Sequence, residues 1–119
     1  MSVKRIVTNI ATEHVDQAKA FYSEILGLTL VMDLGWIQTF ANEANAASQI
    51  SIAAEGGSGA PIPKLSIEVD NFEEIYQRVV ERMLTVEYGP IVEPWGVRRF
   101  YVRDPFGQLV NILTHEAPQ

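Results

Sequence analysis

One supersecondary pattern is written twice along this chain: an apolar strand, an amphipathic helix, then three further strands. The first copy spans residues 3–54, the second spans 64–115, and a linker at 55–63 separates them. Each copy alone leaves one sheet face uncovered, so pairing the two around a curved sheet is the economical solution. The expected architecture is α+β, a single domain over residues 1–119. Two βαβββ modules form a curved mixed sheet with a cleft, and the helices lie on its outer face. The cleft between the copies is where a site is expected.

In the first copy, the β-branched run at 3–10 reads as a buried strand. Residues 12–16 offer several N-caps, and a helix is expected to run from there to about Leu26. Its positions Val15, Ala18, Phe21, Tyr22, Ile25 and Leu26 recur at three and four, which gives one sheet-facing stripe. Gly27 ends it cheaply in the left-handed conformation. Residues 29–34, 36–41 and 49–54 read as strands, with a connection at 42–48.

The linker EGGSGAPIP is not a phosphate loop, because no Gly-Lys-Ser/Thr follows and its prolines block a helix start. Beyond it, Leu65, Ile67 and Val69 alternate with polar residues as a half-buried strand. Asp70 reads as an N-cap and Glu73 as its capping-box partner. Phe72, Ile75, Tyr76, Val79, Val80 and Met83 make the helix stripe. Strands follow at 86–93, 97–102 and 109–114. Asp104-Pro105-Phe106-Gly107 has the chemistry of a tight turn at each of its positions.

The chain carries no cysteine, which excludes disulfides and thiolate chemistry. Its net charge of −6 argues against a nucleic-acid partner, since Arg98, Arg99 and Arg103 are its densest basic group. The apolar stretch after Met1 is too short for a signal core or a membrane span, so a cytoplasmic location is expected.

Phe21-Tyr22-Ser23-Glu24-Ile25-Leu26-Gly27-Leu28 resembles the FY-x3-LG-apolar signature of the vicinal oxygen chelate superfamily. That superfamily includes glyoxalase I, extradiol dioxygenases, and the fosfomycin and bleomycin resistance proteins. Val69-Asp70-Asn71 is similar to its second-module motif, and the segment 100–112 is similar to its closing hairpin. The resemblance implies four metal-ligand positions, which fall on Val7, near Ser51, on Lys64 and on Asn111. Valine cannot ligate, lysine brings a positive charge, and neutral Ser and Asn are weak ligands without carboxylates beside them. No metal and no cofactor are therefore expected. His14, before the first helix, and His115, just past the last strand, read as capping or surface residues. Glu68 and Glu43 could complete another site, but no spacing demands it. Glu93 reads as solvated.

The resemblance turns Asn111 into the concave face. If the Asp104–Gly107 turn closes a four-residue loop, Arg103 pairs with Gln108, Phe100 with Asn111 and Arg98 with Leu113. Arg98, Phe100 and Asn111 then share the cavity, while Arg99 goes to the helix side and pairs with a helix Glu. Trp36, Gln38 and Phe40 are expected on the cavity face, with Ile37, Thr39 and Ala41 as the competing set. Tyr88 and Trp95 sit at the cavity mouth, and Trp36 and Trp95 could stack on a planar or cationic ligand. Ser51 and Lys64 complete the ligand-binding set.

The expected function is a metal-independent small-molecule-binding protein of the glyoxalase/bleomycin-resistance type. It holds an organic ligand in an aromatic-lined cleft and forms a homodimer, with its modules either side by side or swapped. The alternative is a glyoxalase-type lyase or isomerase, or a dioxygenase-like enzyme, with an atypical or absent metal site. In that version Lys64 or Glu68 acts as acid or base and Arg98 holds an oxyanion.

Overall fold

The computed structural model describes residues 3–42 and 45–116, for 45–48 the backbone only. The doubled pattern is present. Strand β1 (Val3–Ala11), helix α1 (Ala18–Tyr22) and strands β2 (Thr29–Asp33), β3 (Ile37–Asn42) and β4 (Asn45–Ala53) form the first βαβββ copy. The second copy is β5 (Leu65–Val69), α2 (Phe72–Glu81), β6 (Val86–Glu93), β7 (Val97–Arg103) and β8 (Leu109–His115). Strand order is β2-β3-β4-β1-β5-β8-β7-β6, a mixed α+β sheet. The β1–β4 and β5–β8 pairs are parallel, and the other pairs within each copy are antiparallel.

The chain divides into two compact units. One is Val7–Ile62; the other joins Met1–Ile6 to Pro63–Gln119. In the first, Phe40, Ile52 and Ala18 form a buried cluster against which Tyr22, Leu28, Leu30 and Ile50 pack. The helix is shorter than its stripe suggested. A 3-10 turn at Val15–Gln17 leads into five α-helical residues. The amides of Glu24 and Leu26 then bond five residues back, to Lys19 and Phe21, which breaks the α-register. The stripe rotates off the sheet as a result: Val15 and Ala18 are buried, whereas Phe21, Ile25 and Leu26 are exposed. Gly27 does end the winding, at φ 77°. The connection expected at 42–48 contracts, because Asn42 ends β3 and Asn45 starts β4. Glu43 lies outside the described residues.

In the second unit, Phe72 and Val79 of α2 bury against Val69, Phe100, Val102, Val110 and Ile112, and Ile75 and Tyr76 pack on the same cluster. Val80 and Met83 of the expected stripe are exposed, and Met83 lies past the helix end at Glu81. The N-cap is Asn71 rather than Asp70, and its side chain makes no capping bond. Its Nδ2 donates instead to Glu74 at 3.0 Å. Glu73 is no capping-box partner either, because it is ion-paired with Arg98.

The turn after β7 decides what each strand face carries. Asp104 accepts from the amides of Phe106 and Gln108 through its side chain, both at 2.9 Å, and from Gly107 through its carbonyl. The Asp104 amide in turn donates to Gln108 O at 3.0 Å, so the loop takes in Gln108 and is five residues long. Arg103 therefore pairs with Leu109, not Gln108, and the whole hairpin register moves by one. Tyr101 now lies opposite Asn111, Arg99 opposite Leu113, and Phe100 opposite Ile112. A one-residue slip flips every side chain of the strand. Gly89 on β6 is needed for close approach: at φ 77° a Cβ there would lie 2.5 Å from the Arg99 carbonyl oxygen.

Candidate functional site

Phe100 stacks edge-on with Phe72 and Tyr76, at centroid distances of 5.5 and 5.3 Å, so it belongs to the α2 side of the sheet. Arg98 accompanies it, 4.5 Å over the Phe72 ring and ion-paired with Glu73 and Glu116. Both residues leave the face where they were expected. The partnership with a helix glutamate foreseen for Arg99 is the one that Arg98 makes.

Arg99 lies on the opposite face, in a closed arrangement. Its Nε and Nη2 reach Glu93 Oε2 at 2.7 and 2.6 Å, and its Nη1 donates to the Tyr101 hydroxyl at 2.9 Å. The Tyr88 hydroxyl donates to the same Glu93 oxygen at 2.8 Å. The guanidinium sits about equally near the rings of Tyr88, Trp95 and Tyr101, with centroids 5.1, 5.0 and 5.0 Å away. Glu93 is thus not solvated: it is 3% exposed, because its charge is neutralised in place. Burial pushes the Tyr101 hydroxyl up to about 12 against the pull of Arg99, and it stays protonated at neutral pH. The cation over Trp95 is the chain's own.

Beside this pair on the same face, Asn111 is 6% exposed. Its Nδ2 donates to Ser66 Oγ at 3.1 Å, and its Oδ1 is buried with no hydrogen-bond partner. Two pleats further along β8, Glu68 Oε2 meets His115 Nδ1 at 2.7 Å, and Glu68 Oε1 accepts from Arg5 Nε at 2.6 Å. His115 is the last residue of β8 rather than a residue beyond it. Burial pushes the Glu68 carboxyl up, but the His115 hydrogen bond and the Arg5 charge outweigh it, so its pKa falls below the ordinary 4.5. A lowered folded value means that the stabilisation is present above the ordinary carboxylate range and is lost as pH falls through that value. Glu68→Gln is therefore expected to lose about 1–2 kcal/mol at neutral pH. The gap to wild type should close in thermal melts taken progressively below pH 4.5.

In the first unit, Thr39 and Ser51 share a buried side-chain hydrogen bond of 2.7 Å on the face away from α1. Phe40 lies in the α1 cluster, 5.7 Å from the Tyr22 ring, so Ile37, Thr39 and Ala41 are the set on the other face. Gln38 alternates with Phe40, and its Nε2 donates to Asp33 at 3.3 Å. Trp36 is half-buried in the turn before β3.

The four implied metal positions do not fit a divalent cation. Val7 is buried and apolar, Ser51 is bonded to Thr39, and Lys64 is exposed ahead of β5. Asn111 faces Ser66 rather than Lys64 across the β5–β8 pair. Among the described residues, no three His, Asp or Glu side chains come together as a metal site.

Residue reasoning missed Arg99, Glu93, Tyr101 and the Arg5–Glu68–His115 cluster. For the first three a signal existed, the alternation Arg99-x-Tyr101 along β7. Reading it required the loop length. The cluster joins residues 63 and 47 positions apart, and no local pattern marks such a pairing.

The fold and its donor set define a two-module βαβββ protein whose usual ligand positions lack metal-binding chemistry. The profile of the Glyoxalase/Bleomycin resistance protein/Dioxygenase superfamily matches residues 4–112, and the chain belongs to that superfamily. A Vibrio splendidus 12B01 member of the superfamily aligns with a TM-score of 0.65 at 16% identity, covering 95% of this chain and 99% of that one. A Legionella pneumophila protein described as an NAD-dependent benzaldehyde dehydrogenase gives 0.71 at 16%, covering 93% and 99%. Methylmalonyl-CoA epimerase of Streptomyces coelicolor, solved with 2-nitronate-propionyl-CoA, gives 0.70 at 16%, covering 98% and 100%. At these identities the likeness is one of fold. No curated protein matches the chain. Among the described residues, no helix is long and apolar enough to cross a membrane.

Proposed function

We propose that the protein binds a small organic molecule without a metal, in the manner of the bleomycin-resistance branch of its superfamily. The observation that carries this reading is Asn111. A buried amide with one end bonded and the other unpartnered is costly, and a ligand N–H or O–H would relieve it. Leu109, Leu113 and Tyr101 share its face and make its surroundings apolar and aromatic, with the Tyr101 ring fully buried. Homodimer formation is part of the reading, since β2 and β6 end the strand order with unpaired edges.

The test is a thermal-shift screen of planar and cationic aromatic compounds, repeated on Asn111→Ala. A binder present at about 100 times its Kd is expected to add about 2.7 kcal/mol to wild type. Its affinity for Asn111→Ala should fall about ten-fold. If no compound stabilises the protein, while purified protein holds stoichiometric metal and turns over a glyoxalase or dioxygenase substrate, the reading is wrong and the enzyme takes its place.

A further inference from the structure

The geometry points to a second site, separate from Asn111: Glu68 and His115 form a carboxylate–imidazole pair whose outward nitrogen acts on small activated carbonyl compounds. The chain's two histidines differ in one respect that matters. His115 has Nδ1 held at 2.7 Å by Glu68, whereas no side-chain partner appears for His14 among the hydrogen bonds and ion pairs of the described residues. With Nδ1–H donated to the carboxylate, the Nε2 lone pair points away from Glu68 on a ring whose side chain is 53% exposed. Glu68 itself is 10% exposed at the side chain and is anchored from the other side by Arg5, so the ring is held by a fixed partner. Such an arrangement of base and orienter is what acid–base or nucleophilic work by an imidazole requires.

The charged groups facing the ring are few. Arg5 reaches it from β1 only through Glu68, and Glu68 comes from β5. On β7 the residue opposite is the apolar Val97, and Glu116 after β8 turns to Arg98. An activated ester is attacked at its carbonyl carbon. Nε2 forms a bond to the carbonyl carbon, the carbon–oxygen bond to the leaving group breaks, and its electron pair departs on the alkoxide or phenolate. The acylimidazolium keeps its Nδ1 proton against the Glu68 carboxylate, which balances the new positive charge. Water then adds, the carboxylic acid leaves, and one proton passes to solvent. His115 is the catalytic residue and Glu68 a positioning residue.

The probes are p-nitrophenyl acetate, for turnover, and diethyl pyrocarbonate, for labelling each histidine in the native chain followed by peptide mapping. Wild type is expected to hydrolyse the ester on the order of 10²-fold faster than His115→Gln, while His14→Gln keeps the wild-type rate. In unmodified protein, His115 should be carbethoxylated several-fold faster than His14. Glu68→Gln should cut labelling of His115 about ten-fold and leave His14 unchanged, which separates lost positioning from unfolding, where both sites would rise together. Equal labelling of the two histidines, or an ester rate indifferent to His115→Gln, overturns the proposal. A His115 that neutralises Glu68 and nothing more would give that second result.

Discussion

Arg99→Ala is expected to destabilise the protein by about 3–5 kcal/mol, the range for removing one partner of a buried ion pair. In a domain of 119 residues this lowers the thermal midpoint by roughly 10–20 °C. Arg99 and Glu93 are 4% and 2% exposed at the side chain. Without the guanidinium, Glu93 keeps the Tyr88 hydroxyl at 2.8 Å but loses the cation that neutralises it. The Tyr101 hydroxyl loses its donor, and three rings lose the cation between them. Arg99→Lys should recover only part of the loss, because an ammonium cannot serve Glu93 and Tyr101 together from one planar fork. Replacing both charges with apolar residues, Glu93→Leu with Arg99→Met, should cost less than Arg99→Ala alone, since no buried charge is left unpaired. A double variant as unstable as the single one would mean that the packing of the rings, not the charge, dominates.

The second large effect tests the hairpin register. Phe100→Ala is expected to cost about 3–5 kcal/mol, because the side chain is fully buried against Phe72 and Tyr76. Arg98→Ala should cost about 1 kcal/mol or less, as its partner Glu73 is largely exposed. Neither change should disturb a ligand held by Asn111, because both side chains stand on the α2 side of the strand. Had the loop held four residues, Phe100 would line the ligand face and its loss would weaken binding more than stability. Denaturant melts and ligand titration on the same two variants decide between these registers.

Much of the architecture was legible along the chain. The doubled strand–helix–strand pattern, the Phe21–Leu28 motif, the Asp104–Gly107 turn and the α2 stripe from Phe72 to Val79 are local signals, written within a few residues of where they act. Helix α1 was harder. Its hydrophobic spacing continued to Leu26, but two five-residue-back hydrogen bonds carried Phe21, Ile25 and Leu26 away from the sheet. Periodicity reports which residues recur, not whether the backbone keeps the winding that would align them.

The candidate site was less legible, and the cause is the period of a strand. Asn111 stands opposite Tyr101, on the strand face away from α2; its expected orientation followed from a motif. Its neighbours across the β7–β8 pair depended on whether the loop after Arg103 holds four residues or five, and one residue exchanges Arg98 and Phe100 for Arg99 and Tyr101. Local residue patterns by themselves determined two βαβββ copies and a chain without cysteine, and the family resemblance implied ligand positions at Val7, Ser51, Lys64 and Asn111. Only the tertiary structure decided that Glu93 is buried under Arg99, and that Arg5, Glu68 and His115 meet. Those pairings join side chains from different strands, and their energies depend on burial and register, which no short stretch of sequence contains.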